Sequence, residues 1–574
     1  MTRLYRLLAS PPLTWLLLLL PIAAFFVYFF ALRYNIPWFD DYENIPYFLD
    51  RFLTAPTFAD KMTALLRPNN EHRVLYARLV VLGQYFLTGG LNFGNLMLWG
   101  NLALVLIFFL LYRALRWQER ASGVALVGLL PVPLLLFTAQ NYIMTFTAIF
   151  SLQYLAIITL VMLTLFVLTA NRPLNLGLAL GLGLLSTFSM GNGLLLWPAG
   201  AGVLFIQRRW LALGIWLGVG AVGIYLYFRG YPMQQGNEEG FTYVVQHPLQ
   251  TIAGFLIFAG SVFDLFPALP QNFRYYLPFA AGLMLVAGLA YWLVQTLFSI
   301  QKSTRPDHPG RFAGAIPSRF DAFVFGCLLF LLANIALIAL FRFRFNFGLS
   351  IHITYRIYSL TLGSVALVLL FSRLSQARRI RVWPAIWVFF FGMSCLSYAT
   401  YLPEVVEFRK QRQGLVFNQI HNDVGLGGTR NSNLARFISD NTALMHKRGW
   451  YRLPDPAITP DEKRLMAPVD TTLKVVPLRI DYPPEYIVVS SDEPGYTAGL
   501  NTGTYVVMKS DRRTYLLFAG KNRPLTVRPW RVAPGFSAPM PIALMQRGRY
   551  RLGLFRTHSD NSTVEFTNQF IDVP

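Results

Sequence analysis

The carboxylates of Asp40, Asp41 and Glu43 lie close together, just after the first apolar block of the chain and before an amphipathic stretch. This position places them near one membrane surface. A carboxylate there can act as a general base on a hydroxyl or amine acceptor, or hold a divalent cation beside a second oxygen ligand. The same residues can also serve a helix, because Asp is a common N-cap and acidic residues favour the first helical turn. The pattern leaves both interpretations open.

A second group of polar residues, Glu71, His72 and Arg73, follows Asn69-Asn70 later in the same loop. Cationic side chains at a membrane interface suit phosphate, and arginine can bind it through two parallel hydrogen bonds. The alternative is that Arg73 only extends its charge to the lipid headgroups. Both interpretations remain open for this group.

A third group is the sequence FRFRF at residues 341–345, which includes Arg344 and is followed by His352, Tyr355 and Arg356. We expect it on the outer side of the membrane, where basic residues are disfavoured unless they have a purpose. A phosphate or pyrophosphate group would be a suitable partner. The alternative partner is an Asp or Glu of the outer domain.

Long apolar blocks must position these residues. The chain is 54% hydrophobic and 14% charged, whereas soluble domains carry about 25% charged residues. Blocks of about 20 apolar residues match the hydrocarbon thickness of a bilayer. The predicted spans lie near residues 13–32, 95–112, 121–138, 142–169, 174–189, 191–206, 211–228, 276–299, 321–341, 357–372 and 382–402. Segments 74–87, with Arg78, and 251–267, with Asp264, are ambiguous, so the fold class is a polytopic α-helical membrane protein with about 11–13 spans.

The basic residues set the expected orientation. The net charge is +22, but Lys and Arg gather in short loops between apolar blocks, as the positive-inside rule predicts for cytoplasmic loops. Nucleic acid is therefore not an expected partner, because it needs a basic groove on a soluble face. The parity of the spans predicts a multi-pass protein of the plasma (inner) membrane, with a cytoplasmic N-terminus and with residues 33–73, 341–356 and 403–574 outside.

The last part of the chain changes in character. We predict a transmembrane domain at residues 1–402, with its first outer loop at 33–73, and a β-rich extracytoplasmic domain at 403–574. Apolar and polar residues alternate at 486–490, 504–508, 514–518, 550–555 and 563–566, which predicts a small antiparallel sandwich. Residues 404–453 are expected to be helical and irregular. Cys327 and Cys395 lie in apolar blocks and predict no disulfide.

The order of these features resembles the GT-C glycosyltransferases, and most closely their bacterial aminoarabinose transferase and protein mannosyltransferase branch. Asp40-Asp41 stands where that branch has an Asp-Glu pair, and Glu71-His72-Arg73 stands where it has a short motif with lysine or histidine and proline. Residues 84–94 and 188–210 are similar to its turn into the next span and to its paired spans. The resemblance covers about the first 230 residues, and Asp41 and Arg73 depart from the pattern.

The resemblance implies inverting transfer of a sugar from a polyprenyl-phosphate donor to a glycan, lipid or protein acceptor of the cell envelope. Asp40 would deprotonate or orient the acceptor, and Asp41 would assist or hold Mg²⁺ or Mn²⁺ if a metal is needed. The phosphate would be bound by cationic side chains, with further contacts from Glu43, Glu71 and Tyr355. The cationic set comprises His72, Arg73, Arg344, His352 and Arg356.

Two other functions fit parts of the sequence. A transporter or flippase of lipid-linked glycans would explain the spans and the basic outer residues, although no repeat between halves is visible. A non-catalytic membrane component of polysaccharide assembly would explain the architecture alone. Neither accounts as well for an acidic outer loop beside a large outer domain.

Overall fold

The computed structural model describes residues 2–69, 72–119, 122–231, 238–302, 317–453, 462–467, 476–493, 499–500, 502–522, 524, 526–528, 531–557 and 562–573. The protein is mostly helical and ends in a β-sheet region. Its first helices are α1 (Thr2–Leu8), α2 (Pro11–Leu32), α3 (Phe48–Thr54), α4 (Phe58–Leu66), α5 (Leu75–Thr88), α6 (Phe93–Gln118), α7 (Ser122–Leu129), α8 (Pro131–Leu136), α9 (Tyr142–Thr145), α10 (Ala148–Phe150) and α11 (Ala156–Leu168). The remaining helices are α12 (Pro173–Thr187), α13 (Leu196–Ile206), α14 (Trp210–Phe228), α15 (Glu238–Gln246), α16 (Pro248–Ala259), α17 (Gln271–Arg274), α18 (Tyr276–Lys302), α19 (Arg319–Arg342), α20 (Arg356–Arg373), α21 (Gln376–Asn422), α22 (Asn433–Lys447) and α23 (Glu462–Met466).

Within the described residues, nine helical segments are long and apolar enough to cross a membrane. They are Pro11–Leu32, Phe93–Gln118, Gly123–Thr145, Ala148–Leu168, Trp210–Phe228, Gln271–Phe298, Arg319–Arg342, Arg356–Arg373 and Gln376–Asn422. Two shorter apolar helices, Pro173–Thr187 and Gly191–Ile206, coincide with two further predicted spans. The predicted helical character is therefore confirmed, while the number of span-length helices is smaller than expected.

Both ambiguous segments form helices that are short for a bilayer. Helix α5 has 14 residues and α16 has 12, against the roughly 20 that a span needs. In α5 the buried guanidinium of Arg78 donates to the carbonyls of Leu65 and Arg67, at 2.9 and 2.6 Å. These carbonyls end α4, so Arg78 satisfies groups that a helix terminus leaves unpaired.

Helix α21 is much longer than a span. Its 47 residues extend about 70 Å at 1.5 Å per residue, whereas a hydrocarbon core is only about 30 Å thick. Pro403 lies inside this helix, so the predicted domain boundary at 402/403 falls within one continuous element.

The C-terminal end of α21 covers one edge of a β-sheet and pairs with its backbone through side chains. The Asn418 amide donates to the Leu516 carbonyl and its oxygen accepts from the Leu516 amide, both at 2.8 Å. One turn later, Asn422 donates to the Thr514 carbonyl at 2.8 Å. These side chains satisfy backbone groups of strand β4 (Thr514–Phe518), which would otherwise be unpaired.

Two antiparallel four-stranded sheets form the C-terminal region. The other strands are β1 (Arg479–Asp481), β2 (Tyr486–Ser491), β3 (Gly503–Lys509), β5 (Gly520–Asn522), β6 (Ala533–Pro541), β7 (Gly548–Thr557) and β8 (Ser562–Val573). The sheet orders are β1-β2-β6-β5 and β4-β3-β7-β8. Apolar side chains of both sheets, such as Ile487 and Phe536 in one and Val506 and Leu554 in the other, share one core. All five predicted strands are confirmed, as is the helical character after residue 404.

Candidate functional site

The loop that follows α2 adopts a strained backbone just before its acidic residues. Phe39 has φ 49°, a left-handed conformation that is uncommon for a bulky residue. Its amide donates to the Leu426 carbonyl at 3.0 Å, so the C-terminal region holds the loop in this shape. A wide π-helical turn at Glu43–Tyr47 follows and contains Pro46, whose missing N–H suits a break in the regular helical ladder.

The Asp41 carboxylate is used inside the protein. The side chain is 1% exposed; one oxygen accepts from the Trp38 amide at 2.9 Å and the other from the Ile149 amide at 2.8 Å. Burial raises its pKa to about 7, while these two hydrogen bonds oppose the rise. One oxygen thus ties the loop to α10 and the other braces the loop itself, and this favours a structural role over the predicted assisting or metal-binding role.

Asp40 lies differently. Its side chain is half-buried, and its backbone carbonyl accepts from the Asn44 side chain at 2.9 Å. Burial and, to a lesser extent, the charge of Glu43 raise the pKa of Asp40 to about 6. A carboxylate with this pKa is mostly unprotonated at neutral pH and is well matched to proton transfer. Of the two adjacent aspartates, Asp40 is the one whose environment suits a general base.

A cavity of about 470 Å³ lies between α14, α15 and α19. Its polar wall is formed by His72 and by the cationic Arg342 and Arg344, and its other wall is mostly aromatic and aliphatic. The remaining lining residues are Gly191, Asn192, Leu194, Tyr227, Phe228, Tyr231, Phe241, Leu337, Ile338, Phe341 and Phe345. The cavity therefore joins positive charge at one place with a long apolar surface.

Tyr154 connects Asp40 to this cavity. Tyr154 lies near both Asp40 and Arg342, and its ring centroid lies 6.1 Å from that of Tyr355. Near the same place, Asn192 of the cavity wall donates to the Tyr358 hydroxyl at 2.7 Å. The acidic loop and the basic cavity, which are distant in sequence, thus meet around one group of tyrosines.

Local contacts orient two of the polar residues on this wall, His72 and Arg344. The amide and carbonyl of His72 pair with those of Asn69 at 2.8 and 2.7 Å, and its ring nitrogen accepts from the Gly191 amide at 3.4 Å. Arg344 lies 3.4 Å from the exposed carboxylate of Glu239 and packs on the Phe345 ring. The structure therefore brings His72 and Arg344 together, as predicted, and adds Arg342 from the same FRFRF sequence.

Arg73 is engaged elsewhere. Its guanidinium donates to the carbonyls of Tyr227 and Arg229, at 2.9 Å each, and to that of Leu66. The side chain is buried and does not line the cavity. It ties the segment between α4 and α5 to the end of α14, whereas the sequence predicted that Arg73 faces a phosphate.

Arg356 needs the same correction. It is fully buried and forms an ion pair with Asp264 at 2.7 Å. It also donates to the Tyr401 hydroxyl and the Ile351 carbonyl, at 2.8 Å each. A buried charge is stable only with such partners, and here the protein supplies them. Arg356 therefore joins α20 to α21 and to the loop after α16.

The other predicted site residues have mixed positions. His352 is exposed, lies outside the lining of the cavity, and its ring accepts from the Thr354 amide at 3.3 Å. Tyr355 and Glu43 lie beside the candidate site, through Tyr154 and Asp40 respectively. Glu71 lies outside the described residues. Throughout the described part of the chain, no group of three or more His, Cys, Asp or Glu residues could hold a metal ion.

Arg412 of α21 is a residue that the sequence analysis missed. Its guanidinium lies 3.6 Å from the Trp38 ring centroid and 4.4 Å from that of Phe408. It is buried, hydrogen-bonds Tyr34, and interacts with the charge of Asp41. Sequence offered no signal, because Arg412 stands in a short basic run with Arg409 and Lys410, and nothing in that run marks the residue that meets the acidic loop. It fixes the acidic loop against α21.

Comparison with protein-family models, with curated proteins and with solved structures gives no significant match.

Replacing Arg412 should loosen the acidic loop. Arg412→Met keeps the length of the side chain but removes the charge that stacks between two rings. A desolvated cation–π contact contributes about 2 kcal/mol or more, so the unfolding free energy in detergent micelles should fall by at least that amount. Lys447→Met, at an exposed position of α22, is the control and should leave stability unchanged. Equal stability of the two variants would contradict the role given to Arg412.

Proposed function

We propose that the protein transfers a sugar, with inversion, from a polyprenyl-phosphate donor to a glycan, lipid or protein acceptor of the cell envelope. The observation that carries this proposal is that an acidic group and an arginine-lined cavity both lie near Tyr154. One is a half-buried carboxyl group with a pKa of about 6 at Asp40, and the other is a cavity with Arg342 and Arg344 on its wall. Together they match a base for the acceptor and a binding site for the phosphate.

The cavity suits a lipid phosphate better than a soluble one. Arginine recognises phosphate oxygens through paired, charge-assisted hydrogen bonds, and His72 can add a further contact. The apolar wall, which includes Leu337, Ile338 and Phe341, offers an isoprenoid chain the contacts that a soluble phosphate could not use. Ligand sites commonly combine a large apolar surface with a few polar groups that fix orientation.

The reaction that fits these groups is a direct displacement. The acceptor hydroxyl or amine loses its proton to the Asp40 carboxylate as it forms a bond to the anomeric carbon. The bond between that carbon and the phosphate oxygen breaks at the same time, and the electron pair leaves with the polyprenyl phosphate. Arg342, Arg344 and His72 stabilise the negative charge that develops on the leaving group, as preorganised charges do in other active sites. Attack from the face opposite the phosphate inverts the configuration.

The proposal includes an orientation in the plasma (inner) membrane. The basic loops that contain Arg208 and Arg378 would face the cytoplasm, while the acidic loop, the cavity and the β-sheet region would lie outside. A lipid-linked donor is the appropriate one at that location, because nucleotide sugars are cytoplasmic.

Catalysis should depend on Asp40 and on pH. A base must be unprotonated, so kcat/KM should increase as the pH rises through about 6 and remain constant above it. Glu43→Gln removes a neighbouring negative charge, lowers the pKa of Asp40 and should move the midpoint to lower pH. Asp40→Asn should reduce transfer about 10²–10⁴-fold, the usual contribution of a general base, and abolish this pH dependence.

The assay is the mass increase of an acceptor incubated with a panel of polyprenyl-phosphate sugars. Asp60→Asn is the control, because this exposed carboxylate of the same loop meets only the start of its own helix. Wild-type rates in Asp40→Asn would remove the residue from catalysis. Movement of an intact lipid-linked glycan across a bilayer, without covalent change, would support a flippase instead.

The cavity arginines should control donor binding. Arg342→Gln combined with Arg344→Gln should raise the Kd for a polyprenyl-phosphate sugar at least tenfold, since hydrogen bonds to charged groups contribute about 1.5–3 kcal/mol each. Arg378→Gln, on an exposed residue outside the cavity, should leave the Kd unchanged. Equal affinity of all three proteins for the donor would show that the phosphate binds elsewhere.

Orientation can be tested with single cysteines. In a variant with Cys395→Ser, Asn433→Cys on the exposed surface of α22 should react with an impermeant maleimide in intact cells whose outer membrane has been permeabilised. Arg378→Cys should react only after the inner membrane is lysed. The opposite pattern of labelling would reverse the proposed topology.

A further inference from the structure

A second, larger space lies in the C-terminal region, away from the cavity described above. This groove of about 540 Å³ lies between the end of α21, the start of α22 and the turn that joins β3 to β4. Three arginines, Arg430, Arg436 and Arg513, line it together with Asp423 and Asp440. No function has yet been assigned to these residues.

The groove is held open by hydrogen bonds of the protein itself. Arg513 donates to the His421 carbonyl at 3.0 Å and to the Gln546 side chain at 3.3 Å. The Arg430 amide donates to the Ala543 carbonyl at 2.9 Å. These bonds fasten two walls to the β-sheet region, so a ligand would meet a preformed site and would lose little ordering entropy on binding.

A glycine-rich loop beside α22 joins two residues that line the groove, Val424 and Arg430. Gly428 has φ 75°, and a Cβ there would come within 2.6 Å of the Ala435 amide nitrogen. Only glycine allows this close approach, which brings the loop against the first turn of the 15-residue helix α22. The partial positive charge of that helix terminus adds to the field of the arginines.

The side chains indicate the chemistry of the ligand. Guanidinium groups bind carboxylate or phosphate in paired hydrogen bonds, while the carboxylates of Asp423 and Asp440 accept hydrogen bonds from hydroxyl groups. Ser439 can take part in either kind of contact. A ligand that carries both hydroxyls and a negative group satisfies the whole set, which a purely anionic or a neutral ligand does not.

The same loop reaches the candidate active site. The Leu426 carbonyl accepts from the Phe39 amide, and a Cβ on Gly427 would lie 3.5 Å from the Phe39 ring. Phe39 directly precedes Asp40 in the chain. The loop that joins Val424 to Arg430 therefore connects the groove to the residue before Asp40.

The geometry points to this groove as a binding site for an anionic saccharide, with a carboxylate or phosphate substituent, that serves as the acceptor. The acceptor role rests on the proposed function, whereas the binding itself does not. Arg430 and Arg436 are the residues that would recognise the negative group, because the Arg513 guanidinium already makes two hydrogen bonds within the protein, whereas that of Arg436 makes one, to the Asn433 side chain at 2.8 Å.

Binding can be measured on the full-length protein in detergent micelles by isothermal titration. We expect trigalacturonate to bind. Maltotriose and triglutamate should bind at least tenfold more weakly, since maltotriose has no carboxylate and triglutamate has no hydroxyl groups. Arg430→Gln with Arg436→Gln should raise the Kd for trigalacturonate at least tenfold, because charge-assisted hydrogen bonds are lost. Arg512→Gln with Lys447→Gln, both exposed and outside the groove, should not change the Kd.

Three results would overturn the inference: no binding of trigalacturonate, equal binding of triglutamate, or equal affinity in the two double variants. Asp40→Asn separates the two proposals, because it should bind trigalacturonate normally while it fails to transfer sugar. Arginine-dependent binding without transfer from any donor would support the site and count against the glycosyltransferase. Transfer to neutral saccharides, without binding of trigalacturonate, would support the glycosyltransferase activity. It would exclude anionic saccharides as the acceptors that bind in this groove.

Discussion

The length of α21 is the constraint on which the rest of the structure depends. A helix of 47 residues is more than twice the roughly 20 residues that cross a bilayer, so its second half must project from the apolar bundle. Successive levels of this helix contact different parts of the protein. Tyr401 meets the buried pair of Asp264 and Arg356, Arg412 meets the acidic loop, and Asn418 meets the β-sheet region. One continuous element thereby connects the buried ion pair, the acidic loop and the C-terminal groove.

Charged residues with similar sequence contexts take opposite roles in this framework. Asp41 and Arg356 are buried with protein partners for their polar atoms, and such groups stabilise one arrangement of the chain. Asp40 is half-buried beside the candidate site, and Arg342 lines the cavity. Only the three-dimensional structure separates charges that are bound within the protein from charges at the candidate site. Asp40 and Asp41 are neighbours in the chain, and Arg342 and Arg356 flank one short segment.

Sequence patterns predicted most of the architecture because they report local physics. Alternation of apolar and polar residues identified β2, β3, β4, β7 and β8, whose side chains face a core on one side. Strand β6 was missed because it contains three prolines, which normally exclude a central strand. The proline at position 539 is tolerated because the short β5 pairs only with the first half of β6, which leaves the other half at an open edge. The apolar helices were predicted by the same kind of local signal.

The candidate site was less predictable, because its partners are far apart in sequence. Arg356 was predicted to bind phosphate, but its guanidinium pairs with Asp264. That residue lies in an irregular loop 92 residues earlier in the chain, so nothing in the sequence indicated the pair. Arg412 could not be recognised, since nothing near it in sequence signals a contact with Trp38. By contrast, His72 and Arg344 were predicted to share a site and do line one cavity. A charged residue beside an apolar segment can thus be detected from sequence, but the distant residue that it contacts cannot.

The asparagine pair on α21 has a consequence for the protein's behaviour among its neighbours. An open sheet edge is a template on which a strand of another molecule can pair, and such pairing leads to aggregation. Asn418 and Asn422 occupy the hydrogen-bonding groups of Leu516 and Thr514 on β4. The edge is therefore closed by a helix of the same chain. Copies of the protein that are crowded together therefore cannot pair with one another through the β4 edge.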